Sequence, residues 1–301
     1  MNKHNFEYIK TVAECGSITK AANKLYISQP ALSKYISRLE EELGVQLFDR
    51  TLQPLVLTYA GEQYLTHLKS ILMEIDNMKK KFRDLSNQFY GRLRVGFPNE
   101  RAVNMLPEIL PRFKHLFPGI QVEVMTAPGD QLVQSLRDGE LEFFFLPMWE
   151  EQKDLEQVEI LREELVLVTE KGYLDQSYLL DVENKIFDWD RIGELPLLTL
   201  KEGHSLRKSV EVLLRNKNIR PNIVLETNSN MLTCRLAAKG VGVAVVPEIT
   251  LTMLNMEHDV DCYHLSSHTV EWQIFAVYRK AGYLGEVERA FLDIAVEAFK
   301  K

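Results

Sequence analysis

The chain has 301 residues, 46% of them hydrophobic, and a formal net charge of −7, which indicates a globular protein of two or three domains and excludes a low-complexity chain. Three cysteines without a CxxC pair exclude an even disulfide framework and favour a reducing cytosol. A polar N-terminus and the lack of a long apolar run predict a cytoplasmic protein without a membrane span.

The charge is unevenly distributed along the chain. Residues 1–90 hold 12 Lys and Arg against 10 Asp and Glu, a net charge of +2. The remaining 211 residues hold 24 against 33, a net charge of −9. No acidic residue lies between Cys15 and Leu39. The overall negative charge therefore does not exclude nucleic acid as a partner of the N-terminal part.

Residues 5–58 are predicted to form three short helices followed by a small β-wing. Apolar residues at helical spacing predict a first helix that Gly16 ends. Ser17 caps a second helix, and Ser28 caps a third that runs to about residue 43. A short helix, a tight turn and a further helix form the helix-turn-helix layout, whose second helix enters the DNA major groove.

The third helix is predicted to be amphipathic. Its inward side carries Ala31, Leu32, Tyr35, Ile36 and Leu39. Its outward side begins after the capping Ser28 and carries Gln29, Pro30, Ser33, Lys34, Ser37 and Arg38. Gln pairs with adenine edges, Ser serves base or phosphate, and Lys reaches guanine or phosphate. These residues are therefore predicted to bind DNA, with an ordinary solvated helix face as the alternative.

The segment FDRTLQPLVLTYAG at residues 48–61 predicts the β-wing. Alternating Leu55 and Leu57 indicate its strands, and Arg50 and Gln53 lie near its tip. An Arg at this place reaches the sugar-phosphate backbone or the minor groove. Arg50 and Gln53 therefore join the predicted DNA-binding residues.

Residues 16–50 resemble the winged helix-turn-helix of LysR-type transcriptional regulators. The shared marks follow one another without a gap and include Ser17, Ala21, Ala22, Leu25, Ser28 to Ser33, Ile36, Leu39, Glu40, Gly44, Phe48 and Arg50. The resemblance implies binding to a double-stranded DNA operator. Many members carry a second basic residue where this chain has Gln53, so its wing is expected to make one phosphate contact fewer.

A single long helix is predicted from Thr58 to Phe89. About 30 residues span roughly 45 Å, too long to pack entirely on a 58-residue domain. The predicted dimerisation positions are Leu65, Leu68, Leu72 and Ile75, with a shift of phase before Met78. Pairing here presents two recognition helices to a two-fold operator. The resemblance also favours a dimer, and a homotetramer that forms as a dimer of dimers is expected. Packing within one chain is the alternative.

The C-terminal part is predicted to form two α/β lobes, each with the order β-α-β-α-β. The strands are residues 92–97, 120–126 and 141–147 in lobe one, 195–200, 222–227 and 242–247 in lobe two, and 164–169 and 272–278 between or after them. The pattern resembles the two-lobed, periplasmic-binding-protein-like effector domain of the same family. The predicted domains are residues 1–58, the linker helix 59–90 and the effector domain 91–301, with lobe one at 92–162 and 268–301 and lobe two at 163–267.

A ligand is expected beyond the carboxyl ends of the strands, where helix N-termini present free N–H groups. The resemblance implies an effector cleft lined by Pro98, Asn99, Glu100, Arg101, Thr126, Pro147, His204, Ser205, Thr227, Asn228 and Ser229. For each of these, a helix cap or loop residue is the alternative. Glu100 opposes anions, whereas Arg101, His204 and the helix ends favour them. Because many relatives bind small carboxylates, a small carboxylate is the favoured effector.

Three functions follow from these patterns. The first is a DNA-binding regulator controlled by a small-molecule effector. The second is a thiol redox sensor on the same scaffold, since residues 202–207, EGHSLR, resemble the segment around the reactive cysteine of the family's peroxide sensors. Ser205 stands in that cysteine's place, and a hydroxyl is not a peroxide-reactive thiolate. The third is a solute-binding protein, which the N-terminal 90 residues oppose. Without an HExxH, GxSxG or Walker sequence, neither an enzyme nor a cofactor is expected.

Overall fold

The structure is a computed structural model that describes residues 3–147, 152–265 and 271–299. It separates into two compact units, Met1–Leu85 and Ser86–Lys301. The predicted change of lobe at 267/268 lies outside the described residues.

The described part of the first unit contains helices and one small sheet. The helices are α1 (Lys3–Cys15), α2 (Ile18–Lys24), α3 (Gln29–Leu43) and α4 (Tyr59–Ser86), and the strands are β1 (Phe48–Asp49) and β2 (Val56–Leu57). Both predicted caps are confirmed. The Oγ atoms of Ser17 and Ser28 accept the N–H groups of Lys20 and Ala31, each at 3.4 Å. Gly44 ends α3 in the left-handed conformation, with φ 70°.

The apolar faces of α1, α2 and α3 meet in the core of the first unit. The buried residues are Ile9, Val12, Ala21, Ala22, Leu32, Ile36, Leu39, Leu47 and Phe48. Tyr64 and Leu65, from the beginning of α4, pack against them. Burial of each large apolar side chain stabilises the unit by about 1.5–3 kcal/mol. This core fixes which side of α3 faces outward.

The predicted wing is confirmed as an antiparallel pair in which Phe48 lies opposite Leu57. It is fastened to the turn between α1 and α2, because the Gly16 carbonyl accepts the N–H of Leu55 at 2.9 Å. Gly16 has φ +57°, and a Cβ there would lie 2.7 Å from the Cβ of Pro54. A glycine is therefore required where the wing approaches this turn.

The long helix is shorter than the sequence predicts. α4 ends at Ser86, and Asn87 takes the left-handed conformation with φ 51°. Phe89, predicted as the last helical residue, belongs to the core of the second unit, where its ring centroid lies 5.1 Å from that of Phe117. The apolar spacing continues past the real end of the helix, so spacing alone does not locate it.

The second unit alternates strands and helices. Its described helices are α5 (Asn99–Leu116), α6 (Gly129–Arg137), α7 (Ser205–Asn216), α8 (Asn230–Ala237), α9 (Ile249–Leu254) and α10 (Glu286–Phe299). Its described strands are β3 (Gly91–Phe97), β4 (Ile120–Thr126), β5 (Phe143–Leu146), β6 (Leu155–Glu170), β7 (Leu179–Asp181), β8 (Ile186–Phe187), β9 (Pro196–Leu200), β10 (Asn222–Thr227), β11 (Val243–Pro247), β12 (Val260–His264) and β13 (Glu271–Arg279).

The strands follow the order β10-β9-β11-β6-β13-β5-β3-β4. β3 pairs in parallel with β4 and β5, and β9 pairs in parallel with β10 and β11. With α5 to α8 as crossovers, these strands form the two predicted β-α-β-α-β units. The sequence analysis did not predict α9, β7, β8 or β12; β12 pairs with β6 and β8.

The strand β6 runs through both halves of the second unit. Its residues 155–164 pair with β13, and its residues 165–170 pair with β11 and β12. The sequence predicts only residues 164–169 of it. The first half mixes charged and apolar side chains, because one of its faces is exposed, and so it lacks the continuous apolar run of a buried strand.

The third predicted strand of lobe one, β5, is buried on both faces. Phe143, Phe144 and Phe145 of β5 are fully buried. Phe143 and Phe145 pack in one apolar cluster with Phe291, while Phe144 packs in another with Leu132. Layers on both sides of the sheet hold β5 in place.

Candidate functional site

The outward face of α3 presents the residues predicted to bind DNA. Ser28, Gln29, Pro30, Lys34 and Arg38 are exposed, and Ser33 and Ser37 are half-buried. Leu32, Ile36 and Leu39 face the core as predicted. Ala31, predicted to face inward, is exposed, because the core contacts α3 only from Leu32 onward. The first turn of α3 is thus open to a partner.

This face is positively charged. Within the described residues, Lys34 has no ion-pair partner. Arg38 pairs with Glu42 one turn further on, with 3.1 Å between Nε and Oε1, and both side chains are largely exposed. Such a pair is weak in water and can open for a phosphate. The N-terminus of α3 adds a partial positive charge.

Arg50 directly follows β1 and contacts α3. Its Nη2 lies 2.7 Å from Oε2 of Glu40 and donates to Oγ of Ser37 at 3.3 Å. Oε1 of the buried Glu40 accepts the backbone N–H groups of Leu47 at 2.8 Å and Phe48 at 3.2 Å. Arg50 therefore ties the wing to the recognition helix, while 46% of its side chain stays exposed.

The tip of the wing carries no cation, because residues 51–57 contain no Lys or Arg. Gln53 is exposed and precedes Pro54 through a cis peptide bond. Asp49 accepts the hydroxyl and backbone N–H of Thr51, and these hydrogen bonds lower the pKa of its carboxyl. The half-exposed Arg50 is therefore the cationic side chain of the wing that can contact a phosphate.

A cavity of about 270 Å³ lies in the second unit where the helices α5, α6, α7 and α8 begin. Seven predicted effector residues line it: Pro98, Glu100, Arg101, Pro147, His204, Ser205 and Asn228. Thr126, Thr227 and Ser229 do not line it, and the side chain of Asn99 lies outside the described residues. The lining residues that the sequence does not predict include Asn104, Phe145, Thr250, Met253 and Trp272.

The guanidinium of Arg101 is already neutralised within the chain. Its two terminal nitrogens donate to the carboxylate of Glu163 at 2.5 and 2.7 Å. Both side chains are buried, and the guanidinium lies 5.4 Å from the ring centroid of Trp272. Since a buried bidentate pair is costly to separate, Arg101 is not available as an anion receptor.

The carboxylate of Glu100 occupies the N-terminus of α8. Its Oε1 accepts the hydroxyl of Ser229 at 2.6 Å and the N–H of Met231 at 3.1 Å. A second contact joins α7 to α6, where Nζ of Lys208 lies 3.0 Å from Oδ1 of Asp130. Each contact links a helix that follows β3 or β4 to one that follows β9 or β10. The part-buried Glu100 contact holds the two sides of the cavity against each other, whereas the exposed pair of Lys208 and Asp130 contributes little.

Two buried polar atoms of lining residues have no hydrogen-bond partner among the described residues. They are Nε1 of Trp272, a donor, and Oδ1 of Asn230, an acceptor. Buried groups of this kind are normally satisfied, so each of these atoms can form a hydrogen bond with a bound molecule. Asn230 directly follows the predicted Ser229, whereas Trp272 lies on β13, outside the predicted loops.

Burial disfavours the reactive thiolate form of two of the three cysteines. Burial raises the pKa of the Cys234 thiol to about 11 and that of Cys262 to about 12. Cys15 lies in the first unit, and all three thiols are free. Within the described ranges no cluster of three metal-ligating side chains is present, and no helix has the length and hydropathy of a membrane span.

Two family models match the chain. The model described as the bacterial regulatory helix-turn-helix protein of the lysR family matches residues 4–62. The model described as the LysR substrate binding domain matches residues 86–300, more than two thirds of the chain. The helix-turn-helix match overturns the solute-binding alternative.

Individual relatives agree with these matches. The chain is 26% identical to the transcriptional regulator CzcR of Bacillus anthracis, over 99% of this chain and 98% of that protein. Its fold is similar to a cysteine mutant of OxyR from Corynebacterium glutamicum, with a TM-score of 0.62 and 26% identity over 97% of this chain and 90% of that one. It is also similar to CbnR, a LysR family regulator, with a TM-score of 0.64 and 22% identity over the whole of both chains.

The winged helix-turn-helix, the effector-type α/β unit and both family matches lead to the same assignment. LysR-family proteins are regulators rather than enzymes. The chain belongs to the LysR-type transcriptional regulators, with an N-terminal DNA-binding domain and a C-terminal effector-binding domain.

Proposed function

We propose that the exposed side of α3 reads the operator in the major groove. The observation that carries this proposal is a capped helix whose first three turns expose amide, hydroxyl and cationic side chains and no carboxylate. Gln29 and Ser33 are placed for base edges, while Ser28, Lys34, Ser37 and Arg38 serve base or backbone. Pro30 is the second residue of α3, in the first turn, where a backbone N–H is not needed for helical hydrogen bonding.

We propose a smaller role for the wing than the sequence alone indicates. Arg50 orients the wing through Glu40, and its exposed side offers one phosphate contact. Gln53 is exposed and uncharged and adds at most a neutral hydrogen bond. The affinity for DNA should therefore depend more on α3 and on pairing of two chains than on the wing.

A matched pair of variants tests the role of α3. Gln29→Ala should weaken binding to an operator fragment by about 1–3 kcal/mol and leave binding to unrelated DNA unchanged. The substitution removes a contact with a base but leaves the contacts with phosphate in place. Ser33→Ala should act in the same direction. Gln46→Ala removes an exposed Gln beyond α3 and serves as the control. Equal effects of Gln29→Ala and Gln46→Ala in fluorescence anisotropy titrations would contradict the proposed reading face.

We propose that α4 pairs two chains, through a different set of positions from the one predicted. Leu68 is buried within a single chain, and Leu65 packs on the core of the first unit. Beyond its first residue, Tyr59, the exposed large apolar residues of α4 are Ile71, Ile75, Met78, Phe82 and Leu85. Their continuous 4-3-4-3 spacing is that of a coiled-coil seam without the predicted shift of phase. Ile75 belongs to this seam, and the half-buried Leu72 flanks it. Effector domains would join two such dimers into a tetramer.

We propose that a small-molecule effector binds in the cavity of the second unit and changes the operator complex. Glu100 with Ser229 and Lys208 with Asp130 are the contacts that a ligand would stabilise or displace. Its effect is limited by the difference in its affinity for the two arrangements. Because such a regulator acts on DNA in a bacterial cell, we place it in the cytoplasm.

The redox alternative is supported only by the similarity to OxyR. At the pKa of about 11 that burial gives Cys234, roughly one thiol in 10,000 is ionised at pH 7. Hydrogen peroxide at 1 mM should therefore leave operator binding unchanged in a gel-shift assay, in wild type and in Cys234→Ser alike. A change that dithiothreitol reverses, and that Cys234→Ser abolishes, would establish redox control instead.

A further inference from the structure

We infer that the effector is an uncharged, single-ring-sized molecule with one hydrogen-bond acceptor and one donor, and not a carboxylate. This inference rests on the proposed function, in which the effector occupies the cavity of the second unit. It follows from the charges, the polar atoms and the volume of that cavity.

The charges around the cavity oppose an anion. The only guanidinium among the lining residues belongs to Arg101, and Glu163 neutralises it with two hydrogen bonds. The carboxylate of Glu100 then leaves an excess negative charge beside the ligand. A second carboxylate next to it would be repelled and would lose part of its hydration without gaining a cationic partner.

Glu100 also takes one of the places that an anionic ligand would use, the N-terminus of α8. Free N–H groups at the beginning of a helix attract carboxylates. At α8, the N–H of Met231 and the hydroxyl of Ser229 already bind the Glu100 carboxylate. The chain thus supplies its own anion at this helix, and a ligand carboxylate would have to displace it.

The remaining lining defines what fits. Phe145, Leu146, Leu200 and Met253 provide an apolar wall. Trp272, 5% exposed, has an indole N–H without an acceptor, and Oδ1 of Asn230 has no donor. A ligand with a matching acceptor and donor satisfies both atoms. A cavity of about 150 Å³ can hold benzene, so about 270 Å³ admits one ring with a short polar substituent.

Acid and amide pairs of the same shape test this inference on the full-length protein. Benzamide and nicotinamide should raise the melting temperature at millimolar concentration, and calorimetry should give Kd values at least tenfold lower than those of benzoate and nicotinate. An equal or higher affinity for either acid would overturn the inference. So would the absence of binding by both amides at 10 mM.

Three variants locate the contacts. Trp272→Phe keeps the ring beside Arg101 but removes the N–H, and should weaken benzamide binding about five- to tenfold. Trp189→Phe is the matched control, because Trp189 is also buried with an unpartnered N–H but does not line the cavity. Glu100→Gln should narrow the gap between benzoate and benzamide. Equal loss in both Trp variants, or an unchanged gap, would contradict the assignment.

DNA binding of the same preparations distinguishes a failure of the proposed ligand class from a failure of the proposed effector role. If the amides fail while operator binding is intact, the ligand class is wrong and the regulator assignment stands. If ligands bind in the cavity without any effect on the operator complex, the proposed effector role fails although the class of ligand is right.

Discussion

Replacing Met78 by Glu should convert the protein to monomers and weaken its binding to a two-half-site operator by about 10²–10⁴-fold. Met78 lies at the centre of the exposed apolar seam of α4, between Ile75 and Phe82. A charge there would be buried without a partner in the paired helices. The second half-site would then no longer be bound intramolecularly. Sedimentation equilibrium and operator titrations measure the two effects.

Thr66→Glu is the control for this substitution. It places the same charge at an exposed position of α4 outside the seam. It should leave the molar mass in solution and the operator affinity close to those of wild type. If Met78→Glu sediments like wild type while Thr66→Glu dissociates, the exposed seam does not pair the chains.

Glu40→Ala should destabilise the DNA-binding unit by about 3 kcal/mol. The substitution leaves the buried N–H groups of Leu47 and Phe48 without an acceptor and Arg50 without its carboxylate. Each unsatisfied buried group costs about 1–3 kcal/mol. The contribution of Arg50 is smaller, because its side chain is half-exposed. Hydrogen exchange of the amides at the start of the wing measures the loss.

Glu41→Ala is the matched control, since Glu41 is the exposed neighbour of Glu40. Its effect should stay within about 0.5 kcal/mol. Glu40→Gln should be intermediate, because one amide oxygen can still accept a backbone N–H. Protection of the wing amides that is unchanged in Glu40→Ala would show that this carboxylate does not hold the wing.

Local signals were sufficient for most of the fold. Ser28 and Gly44 mark the two ends of α3, and a run of apolar residues marks β5. Both signals can be read from the sequence because helix caps and strand burial depend on neighbouring residues. The first half of β6 could not be found in this way. Its residues 155–163 become a strand only because β13 pairs with them.

The binding sites depended more strongly on tertiary contacts. Arg50 reads as a wing-tip cation in the sequence, yet its carboxylate partner, Glu40, comes from another element. Trp272 lines the cavity from β13, outside the loops that a strand-end rule selects. For α4, the helical spacing was correct. Only the packing on the core shows that Leu65 and Leu68 are already in contact within one chain and are not exposed for pairing.

The effective charge of the DNA-binding part also depends on tertiary contacts. The sequence assigns a net charge of +2 to residues 1–90. In the structure, Arg50 and Arg38 are paired with Glu40 and Glu42, which leaves Lys34 as the cation of α3 without an ion pair among the described residues. Specific contacts and pairing of chains should therefore outweigh bulk attraction, and the salt dependence of binding should be shallow for a dimer.

Selection of binding sites from a pool of random DNA with the full-length protein tests the central claim most directly. The account predicts enrichment of an inverted repeat whose half-sites lie about one helical turn apart, as two paired α3 helices require. Repeating the selection with Gln29→Ala should relax the preference at one symmetric pair of positions and preserve the spacing. Enrichment of no sequence, or of the same sequence with undiminished preference in Gln29→Ala, would contradict recognition of the operator by α3.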